Sequence, residues 1–138
     1  METINYQAAA ETQGSETRQR TVLIVEDNLD FHMLTKLALS KCGYKVESLF
    51  DGRVKDVIKK LVTCDIVLLD VDLPSESGST ISNGIRKDPL TTHIPIIMIT
   101  GNAEGPEICT KSHADACLIK PFPFSTLLQT IENIFKKR

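Results

Sequence analysis

Five side chains in this sequence have the types and placement to handle a phosphoryl group: Glu26, Asp27, Asp70, Thr100 and Lys120. Glu26 and Asp27 follow one short apolar run, and Asp70, Thr100 and Lys120 each end another. If those runs are parallel strands, all five groups meet at one sheet edge. Three carboxylates brought together repel one another, and one of them resists ionising unless something neutralises the cluster. A hard divalent cation does so with oxygen ligands, and Mg²⁺ suits a site that keeps waters and accepts a phosphoryl oxygen. Lys120 adds a compact positive charge for an anion, and Thr100 adds a hydroxyl. Phosphoryl transfer depends mainly on positioning and charge stabilisation, which such a set supplies. Asp70, nearest the centre of the expected sheet, is the natural nucleophile and would become an aspartyl phosphate. Singly, each residue has a plainer reading: Glu26-Asp27-Asn28 could cap a helix, and Asp70 could be a loop residue before Pro74. Their joint placement favours the chemical reading.

The elements that must position these groups follow from hydropathy. Apolar strand-like runs cover 21–25, 45–50, 65–69, 94–99 and 115–119. Between them, Leu34, Leu37, Ala38 and Cys42 recur at helical spacing, as do Val54, Val57, Ile58, Leu61 and Val62. A weaker helix is expected over 79–87 with only Ile81 and Ile85 apolar, and a poorly patterned one over 104–112. Phe124, Leu127, Leu128, Ile131, Ile134 and Phe135 make a final amphipathic helix. The order is βα repeated five times. Several strands are apolar without alternation, as in a parallel sheet covered on both faces, so the sequence predicts a doubly wound α/β fold.

Composition narrows the function classes. The chain has 138 residues, 41% hydrophobic and 25% charged, with net charge −2. One domain fits that length. The lack of basic excess disfavours direct nucleic-acid binding, and the absence of Trp removes the best stacking residue. No apolar run approaches the ~20 residues of a membrane span, and no export signal follows Met1, so the expected location is the cytoplasm. Cys42, Cys64, Cys109 and Cys117 lack CxxC or metal-ligand spacing, so free thiols are expected. Residues 1–20 hold too little apolar content to offset ordering entropy and read as a flexible tail before a domain at 21–138. His32, His93 and His113 read as plain helix or surface residues, and Met33 and Met98 as core fill.

Four segments in order carry a resemblance: Val22-Leu23-Ile24-Val25-Glu26-Asp27-Asn28, Leu68-Leu69-Asp70-Val71-Asp72-Leu73-Pro74 with Gly78, Ile97-Met98-Ile99-Thr100-Gly101, and Lys120-Pro121-Phe122. Over 21–138 the chain resembles a response-regulator receiver domain of two-component signalling, of the stand-alone CheY-like kind. The resemblance implies a flavodoxin-like (βα)5 fold with parallel strand order 2-1-3-4-5. It implies that Asp70 accepts a phosphoryl group from a sensor histidine kinase or histidine phosphotransfer protein. It also implies Mg²⁺ held by Glu26, Asp27, Asp70 and the backbone carbonyl of Asp72, with Thr100 and Lys120 meeting the phosphate. Asp72 and Asn102 would influence phosphate lifetime, and a cis peptide is expected before Pro121. A downstream effector protein would read the change, with the chain a monomer or a phosphorylation-dependent dimer and no output domain attached.

Two departures stand out. Cys117 occupies the position, three residues before Lys120, where many receivers carry an aromatic that turns inward on activation. The polar stretch 75–83 predicts a loose third helix. Two alternatives remain. Asp70-Val71-Asp72 with Lys120 matches part of a small haloacid-dehalogenase-like aspartyl-phosphate phosphatase, although no acidic pair follows the lysine. The other is a receiver-like binding module that is not phosphorylated.

Overall fold

The computed structural model describes residues 18–101 and 105–137. Its elements are β1 (Thr21–Val25), α1 (Leu29–Lys41), β2 (Lys45–Leu49), α2 (Val54–Leu61), β3 (Ile66–Asp70), α3 (Gly78–Lys87), β4 (Ile96–Thr100), α4 (Gly105–Lys111), β5 (Ala116–Ile119) and α5 (Phe124–Lys136). The strands form one parallel sheet of order β2-β1-β3-β4-β5, a flavodoxin-like (βα)5 arrangement.

Continuous apolar runs are needed because β1, β3 and β4 are buried on both faces. Successive residues point to opposite sides. Leu23, Val25, Val67, Leu69, Ile96 and Met98 pack with Val57 and Leu61 of α2, Ile81 and Ile85 of α3 and Cys109 of α4. Val22, Ile24, Ile66, Leu68, Ile97 and Ile99 pack with Leu39 of α1 and with Leu127 and Ile131 of α5. Strand β4 starts later than the apolar run that opens at 94 because Pro95 has no N–H for the ladder; its carbonyl accepts from Val67 N–H instead.

Helix α1 departs from expectation in phase. His32, Thr35 and Leu39 form its buried face, while Leu34, Leu37 and Met33 are exposed. The period is helical in both cases, but the start of the helix sets which phase faces the sheet. Asn28 caps α1 by accepting from Phe31 N–H, and His32 is thereby turned inward to meet the carbonyl of Glu26 at 2.8 Å. Met33 is therefore not core fill, whereas Met98 is fully buried.

Helix α3 is regular despite its weak apolar pattern. Ser77 caps it by accepting from Thr80 N–H, and Ser82 donates to the carbonyl of Ser112 at 2.7 Å. The polar residues that blur its pattern thus serve as caps and bridges. Gly78 is required at its start, since a Cβ there would collide with the Asp70 carbonyl and the Val71 backbone. Residues Arg18 to Arg20 already contact the domain: Arg18 pairs with Asp65, and Arg20 lies over the Phe135 ring. The rest of the expected tail, 1–17, lies outside the described residues. Among the described residues no helix is long and apolar enough to cross a membrane.

Candidate functional site

The register brings the polar strand ends together. Val25 aligns with Leu69, Asp70 with Ile99, and Thr100 with Ile119, so the loops that follow rise from one edge of the sheet. There, carboxylate oxygens of Glu26, Asp27 and Asp70 all lie within 4.8 Å of one another. Glu26 and Asp70 are buried and Asp27 is exposed, so the cluster has one open side. Lys120 reaches across from the end of β5 to Glu26 Oε1 at 2.9 Å.

The fixed donors around these acids explain their positions. Asn28 N–H donates to Glu26 Oε2 at 3.0 Å, and Asp72 N–H donates to Asp70 Oδ1 at 3.0 Å. Burial pushes the Asp70 carboxyl up to about 7. The Asp72 amide and the Lys120 charge oppose that rise, while the charge of Glu26 and a hydrogen bond with it add to it. Desolvation and like-charge crowding therefore outweigh one lysine and one amide.

The donor set fits Mg²⁺ in kind and nearly in spacing. All three side chains offer hard oxygen ligands. Octahedral oxygens at about 2.1 Å from one Mg²⁺ are about 3.0 Å apart when adjacent and about 4.2 Å when opposite, so the cluster would draw inward on binding. Such an ion would offset the desolvation and the Glu26 repulsion that together hold the Asp70 proton on.

Of the remaining expected residues, Thr100 is fully buried at the end of β4, and its backbone carbonyl accepts from Lys120 N–H at 2.7 Å. Its side chain packs so closely on Gly105, at the start of α4, that a Cβ there would collide with it. The Lys120–Pro121 peptide is cis. Asp72 has an exposed side chain and acts in the structure through its amide. Asn102 lies outside the described residues.

Two neighbours escaped the sequence reading. Phe31 places its ring 4.3 Å under Lys120 Nζ and meets Phe122 edge-on. His32 is fully buried rather than a surface residue, stacks on Phe50 and holds the Glu26 backbone. Their place in the first turn after Glu26-Asp27-Asn28 was the available signal, but it required the phase of α1.

The expectation of four free thiols is corrected at two positions. Cys109 and Cys117 are joined as a disulfide, while Cys42 and Cys64 are free. Sequence spacing could not reveal the pair, because the turn between α4 and β5 brings these residues face to face.

A family model for the response regulator receiver domain matches residues 22–132. The chain is 28% identical over 118 residues to the DNA-binding dual master transcriptional regulator RpaA of Synechocystis sp., covering 84% of this chain and 49% of that protein. It therefore spans about half of that relative's length. It is 28% identical over 119 residues to the chemotaxis protein CheY-3 of Vibrio cholerae, covering 84% of this chain and 92% of that one. Among solved structures, the receiver domain of the sensor histidine kinase PA1611 from Pseudomonas aeruginosa PAO1 superposes with a TM-score of 0.75 at 25% identity, over 84% of this chain and 97% of that one. That receiver has a magnesium ion coordinated in its active site cleft. A fold, an acidic edge and a family match thus agree on a signalling phosphoacceptor rather than a phosphatase, and this chain belongs to the response regulator receiver domains of two-component signalling.

Proposed function

We propose that Asp70 is the phosphoacceptor of this receiver, loaded by a sensor histidine kinase or a histidine phosphotransfer protein. An Asp70 carboxylate oxygen attacks the donor's phosphorus, the P–N bond breaks, and the departing imidazole takes up a proton from solvent. Glu26, Asp27, Asp70 and the Asp72 backbone carbonyl would hold Mg²⁺, which would neutralise charge on the phosphoryl oxygens when bound. Lys120 leaves Glu26 to pair with a phosphoryl oxygen, and Thr100 turns its hydroxyl toward another. Asp72 and Asn102, two residues after Asp70 and Thr100 in the sequence, tune how long the phosphate survives.

The observation that supports this reading is the meeting of Glu26, Asp27, Asp70 and Lys120, from three strand ends, within one buried cluster with an open side. The donor's approach is supported by α1, whose exposed Leu29, Met33, Leu34 and Leu37 begin at the rim of the site and give a helical partner an apolar landing surface. Phosphorylation would change binding to a downstream effector protein in the cytoplasm, with the receiver acting as a monomer or as a phosphorylation-dependent dimer.

The test is labelling with acetyl phosphate and Mg²⁺, read by intact mass. Wild type is expected to gain one phosphoryl group, Asp70→Asn none, and chelation of Mg²⁺ is expected to abolish labelling. Equal labelling of wild type and Asp70→Asn would overturn the assignment, and no labelling of either would favour a binding module that is not phosphorylated.

A further inference from the structure

The Cys109–Cys117 pair lies on the route by which the site can act on the rest of the domain. Cys109 belongs to α4 and is buried. Cys117 belongs to the edge strand β5 and is half-buried. Their Cα atoms are 6.0 Å apart and their sequence separation is 8. That spacing falls within the range a disulfide can bridge without moving the backbone. A tight turn creates it: His113 has φ 58°, and Ala114 N–H returns to the carbonyl of Cys109. The same helix starts at Gly105, whose carbonyl lies 3.8 Å from Cys117 Sγ and whose Cα packs on the Thr100 side chain. One bond therefore ties together α4, β5 and, through Gly105, the threonine of the site.

We propose that Cys109 and Cys117 form a reversible dithiol–disulfide pair that couples the redox state of the surroundings to the phosphoacceptor site. This rests on the phosphoacceptor reading above for its consequence, though not for its chemistry. A low-molecular-weight disulfide such as oxidised glutathione supplies the oxidising equivalents. The Cys117 thiolate, the more accessible of the two, attacks one of its sulfurs and releases one thiol. The Cys109 thiolate then attacks Cys117 Sγ in the mixed disulfide and releases the second thiol. Two protein thiols are oxidised, one disulfide is reduced to two thiols, and the protons lost by the cysteines leave with those thiols. In a reducing compartment a disulfide of this kind is transient and redox-sensing rather than structural.

The direction of coupling follows from packing. A Thr100 side chain that turns toward a phosphoryl group vacates the space beside Gly105, and α4 must reseat to fill it. In the oxidised protein α4 is fastened to β5, so that reseating is resisted and the phosphorylated arrangement is disfavoured. In the reduced protein the Cys117 thiol can instead donate to the Gly105 carbonyl, a contact that can be exchanged.

The full chain is equilibrated at graded ratios of reduced to oxidised glutathione, with Mg²⁺ alone or with Mg²⁺ and beryllofluoride as the phosphoryl mimic. Acid quenching, alkylation under denaturing conditions and peptide mass then count the thiols. The expected result is that Cys109 and Cys117 lose alkylation together within one chain, while Cys42 and Cys64 keep theirs. Because coupling is reciprocal, beryllofluoride should shift the midpoint glutathione ratio about fivefold or more toward the dithiol, and oxidised protein should bind beryllofluoride weaker by the same factor. Cys109→Ala and Cys117→Ser should each match the reduced wild type in beryllofluoride affinity whatever the redox buffer. Stable glutathione adducts, dimers, or independent alkylation of the two cysteines would overturn the pair. Joint oxidation without a midpoint shift would overturn the coupling, provided reduced wild type labels with acetyl phosphate. Absence of that labelling would overturn the phosphoacceptor reading and the coupling with it, while alkylation still decides the pair.

Discussion

Asp70→Asn should make the metal-free domain more stable at neutral pH and above, and leave it unchanged only below about pH 4. The Asp70 carboxyl is raised from 3.8 to about 7 in the folded chain, with burial as the first cause. The folded state therefore holds this proton more tightly than the unfolded state does. Asp70 imposes no penalty below about pH 3.8, where both states are protonated, and the penalty grows as pH rises through about 7. At about 1.4 kcal/mol per pH unit, the full span amounts to at most about 4 kcal/mol above pH 8. The Asp72 amide is already among the causes of the Asp70 value, so an uncharged Asn of the same shape recovers most of the span, about 2–4 kcal/mol. With an unfolding entropy of about 2 cal/mol/K per residue over about 120 ordered residues, 1 kcal/mol corresponds to about 4 °C. Thermal unfolding in chelator should thus show Asp70→Asn melting about 8–16 °C above wild type near pH 8.5 and within about 2 °C of it near pH 3.5. Adding Mg²⁺ should raise the wild type at pH 8.5, by about 2.7 kcal/mol at 100 times its Kd, and leave Asp70→Asn nearly unmoved. An equal difference at both pH values, or a less stable variant at pH 8.5, would refute the claim that a buried, repelled carboxylate sits at Asp70.

Other perturbations separate the parts of the site. Gly78→Ala places a methyl against the Asp70 carbonyl and Val71, so chemical denaturation should show a loss of about 1–3 kcal/mol, and the displaced Asp70 loop should bind Mg²⁺ more weakly. Replacing Glu26 and Asp27 together by Gln and Asn removes two of the three carboxylates, and calorimetry should find most Mg²⁺ affinity gone while circular dichroism stays native. Leu34→Ser with Leu37→Ser changes only exposed side chains, so stability should move by less than about 0.5 kcal/mol. Phosphotransfer from a cognate histidine donor should slow in that double variant, whereas acetyl-phosphate labelling, which needs no docking, should not.

Most of the site was legible because its encoding is topological. A parallel sheet returns every strand to the same edge, so a polar residue at the end of an apolar run is placed near all others of its kind without any knowledge of contacts. Asp70 and Thr100 each end a strand, and Glu26, Asp27 and Lys120 follow one. The face of α1 was not legible in this way. Leu34 and Leu37 have the hydropathy of core residues, yet they point to solvent, while His32 and Thr35 point inward. The helical period constrains only spacing, and its phase is set with the Asn28 cap and the hydrogen bond of His32 Nδ1 to the Glu26 carbonyl, while His32 Nε2 is buried without a partner among the described residues. An apolar stripe left outside and a polar residue taken inside are two sides of one choice. It keeps the Glu26 backbone fixed and leaves an exposed apolar surface beside the site.

The cysteine pair marks a different limit. Spacing rules detect thiols that share a local geometry, as in CxxC, but Cys109 and Cys117 meet only because a residue with positive φ closes the turn between α4 and β5. His113 is only a weak signal, since positive φ is uncommon outside Gly even though His, like Asn and Asp, is enriched there. What the sequence did show was a small thiol in β5 where an aromatic is usual in the family, which removes a bulky group able to change places. A crosslinkable sulfur in that position replaces movement of a side chain by tethering of a helix. The two devices act on the same neighbour: Thr100 is wedged against Gly105, and Gly105 belongs to the helix that Cys109 fastens. On the proposed reading, transmission from Asp70 runs through the seating of α4 on β5, and any change that loosens that seat should favour the phosphorylated arrangement.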